Sequence, residues 1–251
     1  MRIAYRVQLA ALVPVLGLLL VSGYVISEKR EAVSEVAHIA DLTNLAVSVG
    51  GLVHDLQLER GASTVHALTQ GGNHTALESW RRQTEHSRDR FEAAAIAFQP
   101  DDRDGRVVAA LAAARTLLDK RQTIRRQVDL FQAAPPQSFA YYTQAIAGLL
   151  DIKGQAVSVI RDPGVATELS AFMYFTQAKE RLGQIRALAA RHFHADRADA
   201  AGKRKIAALM AEQETFQHLF RFYATLEEVA LRDRIIRGPA ILNSNRLVNT
   251  L

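Results

Sequence analysis

The chain contains no cysteine. That excludes disulfides, zinc ribbons, c-type haem attachment and a cysteine nucleophile together. It leaves the compartment open, because a cysteine-free protein tolerates either redox state. Glycine and proline are scarce, 14 and 6 in 251 residues, and they cluster at a few places. Long uninterrupted elements are therefore expected, and no segment alternates polar and apolar residues for long enough to read as a strand. H-E-x-x-H, the nucleophile elbow, the P-loop and the dinucleotide fingerprint are all missing. The sequence thus gives no ground for an enzyme or a cofactor. A concentrated basic face is missing as well. The net charge is +5, but Arg2, Arg6, Lys29 and Arg30 against Glu28 account for +3 of it, and the other 221 residues hold 27 basic and 25 acidic side chains. Nucleic acid is not an expected partner on that balance, and Arg121, Arg125 and Arg126 read as a solvated helix face.

One long apolar run is present. No charged residue lies between Arg6 and Glu28, and Leu9–Ile26 is almost wholly apolar over 18 residues. About 18–20 such residues span a hydrocarbon core. A transmembrane anchor over 8–27, behind a cytoplasmic tail of residues 1–7, is the expectation; a cleaved signal peptide competes, with Val21-Ser22-Gly23 a passable cleavage site. Arg2 and Arg6 favour a cytoplasmic N-terminus. This predicts a single pass through the inner (cytoplasmic) membrane, with residues 28–251 outside the cytoplasm. No second run of that length follows, and a receptor that signals inward needs one. Either the chain stops before it or the protein works without it.

What remains reads as helix. A first helix runs from the membrane to about Thr69 and ends at Gly71-Gly72-Asn73. A second covers about 74–98, before Pro100. A third, capped within Asp101–Asp104, runs to about Gln132. Pro135-Pro136 breaks the chain, and Ser138 can cap a fourth. Asp162-Pro163 is an N-cap followed by a first-turn proline and opens a fifth, to about Phe193. A sixth starts near Asp196 or Asp199 and reaches about Leu226, and a seventh begins after Gly238-Pro239. Long amphipathic helices with short connections form antiparallel bundles. Six are too many for one four-helix bundle, so the fold predicted is all-α, with two antiparallel helical bundles sharing long helices.

Several polar positions stand out. Glu35-Val36-Ala37-His38 fits Glu-x-x-His, but a di-iron bundle needs two such pairs and only one exists, so a solvated turn is the reading preferred. His192 and His194, two apart, point away from each other on a helix and cannot share a metal. Two arginines interrupt apolar stripes. Arg60 falls in Leu52, Leu56, Arg60, Ser63, Ala67, and Arg186 falls in Phe172, Phe175, Lys179, Leu182, Arg186, Ala189, Phe193. A buried guanidinium requires a partner, and Gly61, Ala62, Ser63, Gly183 and Ala187 leave room nearby. Two readings stay open. Either both arginines face one small planar oxyanion, which suits the guanidinium fork, or each forms an ordinary interhelical ion pair, with Glu59, Asp55 or Glu180 as candidate partners.

Leu56-Gln57-Leu58-Glu59-Arg60-Gly61-Ala62-Ser63 resembles the opening motif of the nitrate- and nitrite-sensing (NIT) domain of bacterial receptors. Ala178-Lys179-Glu180-Arg181-Leu182-Gly183-Gln184-Ile185-Arg186-Ala187 resembles its second motif, and Glu212-Gln213-Glu214 with Phe216, Phe220 and Tyr223 is also similar to it. The similarity spans about residues 40–230. The resemblance implies two helical bundles with nitrate or nitrite bound between helices by one arginine from each motif, here Arg60 and Arg186. It also implies a homodimer and a signalling output module, which is not visible in this chain. Ile185 departs from the pattern, which usually places an acidic residue before the second arginine. The function expected is a membrane-anchored nitrate or nitrite sensor that relays occupancy by rearranging its bundles; the alternative is a structural or partner-binding helical module.

Overall fold

The computed structural model describes residues 2–132, 134–194 and 200–236, and side chains are described except at 2–16, 31, 32, 135, 190–194, 235 and 236. The described residues contain helices and no strand, as the absence of any period-two segment predicts. The helices are α1 (Arg2–Leu68), α2 (His74–Ala97), α3 (Gly105–Asp119), α4 (Arg121–Asp129), α5 (Pro135–Val159), α6 (Pro163–His194), α7 (Ala200–Tyr223) and α8 (Leu226–Ile236).

α1 is one uninterrupted helix of 67 residues, about 100 Å at 1.5 Å per residue. By length and composition alone Gly17–Leu68 of α1 is apolar enough to cross a membrane, although 39% of its apolar window is buried within the fold, as in a core helix. Leu18, Leu19, Leu20, Val21, Tyr24, Val25 and Ile26 are all exposed among the described residues. From Leu42 onward the same helix becomes the spine of the first bundle. Leu42, Leu45, Val49, Leu52 and Leu56 are each 0% exposed and pack with Phe91, Val107, Leu111, Tyr142, Ile146 and Leu149 from α2, α3 and α5. Spacings of three and four residues keep this stripe on one face.

Pairs along the helices set their directions. Ser87 meets Asp55 and Asn73 meets Ala62, so α2 runs antiparallel to α1. Arg115 meets Glu92 and Arg121 meets Glu85, so α3 and α4 return along α2. Arg60 meets Thr143 while Gly50 lies by Lys153, so α5 is antiparallel to α1. α6 then lies against both α1 and α5. Lys179 contacts His54, and Gly183 lies against Arg60, so α6 runs parallel to α1. α7 returns along α6 through Arg181–Glu212 and the stacked Tyr174, Phe216 and Tyr223. α1 and α5 thus pack against the α2–α4 side and, on the other, against α6, which carries α7, the shared-helix arrangement expected.

Several boundaries differ from the sequence reading. The third expected helix is two, α3 and α4, parted at Lys120. α5 begins at Pro135, not at Ser138, because proline's fixed φ suits the first turn and Ala134 is the residue before it. Asp162 caps α6 as predicted, accepting from the Val165 amide at 2.9 Å. α8 was not foreseen, although Thr225 and Glu228 form a reciprocal capping box, with Glu228 N–H donating to the Thr225 hydroxyl at 3.2 Å and Thr225 N–H to the Glu228 carboxylate at 2.8 Å. The expected helix starts at Asp196 or Asp199, the helix after Gly238-Pro239 and the side chains of His192 and His194 lie outside the described residues.

Candidate functional site

Glu59 and Arg60 are consecutive on α1, so their side chains leave the helix about 100° apart and reach different neighbours. Glu59, 0% exposed, turns toward the first bundle. It accepts two hydrogen bonds from Arg125 of α4, at 2.7 and 2.8 Å, and one from the Tyr142 hydroxyl at 2.8 Å. Arg125 also pairs with Glu85, which holds Arg121 in turn. Arg121 and Arg125 are therefore buried, contrary to the solvated face read from the sequence; Arg126 alone of the three is exposed. The reason is that α2 presents Glu85 and α1 presents Glu59 to α4, and a neutralised guanidinium can be enclosed. Glu85 is accordingly held below the usual carboxylate range: burial opposes this, but Arg121 and Arg125 outweigh it.

Arg60, 1% exposed, turns toward α6. Its Nη1 donates to Glu180 Oε1 at 2.6 Å and its Nη2 to Oε2 at 3.1 Å, a two-pronged pair across the α1–α6 seam. Nη1 also donates to the Thr143 hydroxyl at 3.0 Å, and the Phe139 ring lies 5.1 Å from the guanidinium carbon. Glu180 accepts two further bonds, from Gln57 at 2.9 Å and Gln184 at 2.8 Å. Of the three ion-pair partners considered from sequence, Glu180 is the one the structure brings to Arg60. Glu59 goes to Arg125 and Asp55 to Ser87.

Arg186 is placed differently from Arg60. It shows a large part of its surface to solvent, and no hydrogen bond or ion pair holds it among the described residues. Partial burial, and then the nearby positive charge of Arg60, lower its affinity for its proton. Lys179 is lowered too, first by burial and then by Arg186, while Asp55 and Glu180 oppose the shift. Lys179 Nζ lies 2.9 Å from His54 Nδ1. His54 is lowered in turn, mainly by burial and then by Lys179. The line Lys179, Gly183, Arg186 on α6 thus borders His54 and Arg60 on α1 as a positively charged seam. Gly183 lets the helices approach there, because a Cβ would stand 2.9 Å from Arg60 Nη2 and displace the guanidinium. The room read into Gly61 serves no such purpose, since nothing lies within 4 Å of the Cβ it would carry. Ile185, where the family pattern puts an acid, faces away from the seam and packs with Ile206 and Leu209 of α7.

Sequence reasoning missed Lys153. This α5 lysine is 2% exposed and has no carboxylate partner among the described residues. It sits 3.4 Å from the Phe172 ring centroid and donates to the Thr176 hydroxyl at 3.1 Å. Burial, and then Lys179, push it down to about 7. Gly50 of α1 makes space for it, as a Cβ would lie 3.3 Å from Nζ. A lysine four residues after Leu149 and three before Ala156, in an otherwise apolar α5 face, was the available signal.

The family model described as nitrate and nitrite sensing matches residues 51–251. A curated relative, the nitrate regulatory protein of Klebsiella oxytoca, is 31% identical over 169 residues, which is 66% of this chain and 42% of that protein. Among solved structures, that of the NasR transcription antiterminator is similar with a TM-score of 0.82 at 24% identity, over 91% of this chain and 62% of that one. The chain therefore spans less than half of the curated relative and about three-fifths of the solved one. The likeness to the solved structure carries the fold alone, and the family match carries the rest: the chain belongs to the nitrate and nitrite sensing family.

Proposed function

We propose that this chain is the sensor part of a membrane-anchored nitrate or nitrite receptor, with the anion received at the α1–α6 seam by Arg186 and Arg60. The observation that carries this is the unpaired Arg186, whose charge is opposed by Arg60 and adds to that of Lys179. An anion between the two guanidinium groups relieves that repulsion and supplies the partner that protein does not. Planar oxyanions suit the guanidinium fork. Arg60 is already held by Glu180, so binding draws on the same donors: the anion competes with Glu180 for Arg60, and the Arg60–Glu180 bond acts as the latch of the empty state. Because that bond ties α6 to α1, releasing it changes how the two bundles sit, and the ligand shifts the equilibrium by its differential affinity for the two arrangements. The exposed apolar residues of Leu18–Ile26 support the anchor, and Arg2 and Arg6 support a cytoplasmic N-terminus with the bundles on the outer face of the inner membrane. A homodimer, as the family resemblance implies, completes the receptor. Nucleic acid is not among the partners proposed for these residues.

One observation favours the alternative of a structural module. The Arg60–Glu180 pair is geometrically complete without any ligand. Calorimetric titration of the whole chain in detergent with nitrate, nitrite and chloride separates the readings. Saturable heat with nitrate or nitrite and none with chloride is expected. Silence towards both oxyanions at millimolar concentration leaves the ion pair as the whole explanation of the motif.

A further inference from the structure

At the end of the first bundle nearest the apolar segment, His38 of α1 meets the loop between α2 and α3. His38 is 8% exposed and Asp104 is 0% exposed. His38 Nε2 lies 3.4 Å from Asp104 Oδ1 and 4.0 Å from Asp101 Oδ2. Donor atoms of His38, Asp101 and Asp104 all fall within 4.8 Å of one another. Among the described residues neither His38 Nε2 nor Asp104 Oδ1 has a hydrogen-bond partner, although both are buried. Buried polar atoms are nearly always bonded, so two orphans facing each other need an explanation.

The surroundings explain part of the arrangement. Asp104 occupies the N-cap position of α3, yet its side chain does not cap the helix. Oδ2 instead accepts from the Asp101 amide at 2.7 Å, which leaves Oδ1 aimed at His38. Phe98 lies 6.1 Å from the imidazole and closes one side. Asp101 is exposed and opens the other side to solvent. Arg103 donates to Asp101 Oδ2 at 2.8 Å and also to Glu35, which precedes His38 by three residues on the same face of α1. Asp101 is held down to about 2, chiefly by Arg103.

We propose that His38, Asp104 and Asp101 form a binding site for a divalent transition metal of the zinc class. Metal–nitrogen and metal–oxygen bonds of about 2.0–2.2 Å place tetrahedral ligand atoms about 3.4 Å apart. The His38–Asp104 separation already has that value, and Asp101, 4.0 Å from His38 and within 4.8 Å of both partners, must close in on them. One imidazole with two carboxylates suits borderline metals, whereas magnesium and calcium take oxygen donors only. The two atoms of His38 and Asp104 stand 3.4 Å apart, within ion-pair reach but longer than the usual N–H···O hydrogen bond. Asp101 supplies the open side, so water completes the coordination there. Arg103 competes with the metal for Asp101 and weakens the site. The ion ties α1 to the α2–α3 loop about 18 Å along the helix from Ile26, and so fixes the point where the membrane segment enters the bundle.

The test uses the whole chain in detergent, stripped with chelator, and Co2+ and Zn2+ as probes. Co2+ is expected to give a visible d–d band saturating at one ion per chain, displaced by Zn2+ and not by Mg2+ or Ca2+. His38→Gln and Asp104→Asn each remove a ligand and are expected to weaken binding by more than about tenfold, since even outer-shell partners of a metal ligand are worth 10–100-fold. Arg103→Gln removes a competing cation and no ligand, so it is expected to bind at least as tightly as wild type. Far-ultraviolet circular dichroism confirms that each variant is folded. No band on the wild-type chain, a band that survives in folded His38→Gln or Asp104→Asn, or loss of the band in Arg103→Gln would each overturn the proposal.

Discussion

Replacing Arg60 by methionine is expected to destabilise the protein strongly. Glu180 is 2% exposed and accepts two bonds from Arg60 and one each from Gln57 and Gln184. Methionine has similar length but no charge, so the substitution strands a carboxylate between helices with two neutral amides. Breaking a buried pair from one side costs about 3–5 kcal/mol; the two amides remain, so the lower end, about 3 kcal/mol, applies. For a chain of this size each kcal/mol moves the midpoint about 2–4 °C, which gives a fall of about 6–12 °C. Thermal melts by far-ultraviolet circular dichroism read this directly. Arg60→Met combined with Glu180→Gln removes the stranded charge, and replacing both partners is far cheaper than removing one. The double variant should therefore recover most of the loss. A single variant within about 1 kcal/mol of wild type, or a double variant no more stable than the single, would refute the view that this pair ties α1 to α6.

Lys153→Met should stabilise the protein at neutral pH by an amount on the order of a few kcal/mol, because it removes a buried cation without a carboxylate partner. The folded lysine releases its proton near pH 7 whereas the unfolded one keeps it to about 10.5. The Lys153 contribution to wild-type stability should thus rise with pH across that window and be flat below it, and the variant should lose that contribution, leaving only the part of the rise due to Lys179, in a melt series from pH 6 to about 10. Gly183→Ala puts a methyl group 2.9 Å from Arg60 Nη2, so the guanidinium must shift; a loss of about 1–3 kcal/mol is expected by denaturant titration, and an unchanged midpoint would show that the seam has slack.

Much of the architecture was legible because it rests on apolar periodicity. The stripe Leu45, Val49, Leu52, Leu56 is buried as read, and Arg60 and Ser63 continue it inward. Asp162-Pro163 and the apolar run before Glu28 are local signals that do not depend on tertiary context. The reading failed where the interior is polar. On α6 the polar residues buried against α1 and α5 include Thr176, Glu180 and Gln184, and no hydrophobicity pattern reveals them. Of the stripe chosen from sequence, Phe172 and Lys179 reach α5 and α1, but Phe175 and Arg186 are exposed. Arg121 and Arg125 looked solvated because charges usually are; their burial depends on Glu59 and Glu85, which are distant in sequence. Glu35-x-x-His38 looked like a solvated turn because the acids that complete its surroundings, Asp101 and Asp104, come from a loop more than sixty residues away.

The central claim is that Arg186 is unpaired because an anion is its partner. Paired thermal melts of wild type and Arg186→Met, each with and without millimolar nitrate, test it most directly. Without nitrate the variant has lost only a like charge near Arg60 and Lys179, so its midpoint should equal or slightly exceed that of wild type. With nitrate the wild type should melt higher, by mass action on the folded state. The variant should show almost none of that rise, because each charge-assisted hydrogen bond contributes about 1.5–3 kcal/mol and its loss weakens binding at least about tenfold. A variant that responds to nitrate as fully as wild type would contradict the claim, as would one that is markedly less stable in nitrate-free buffer.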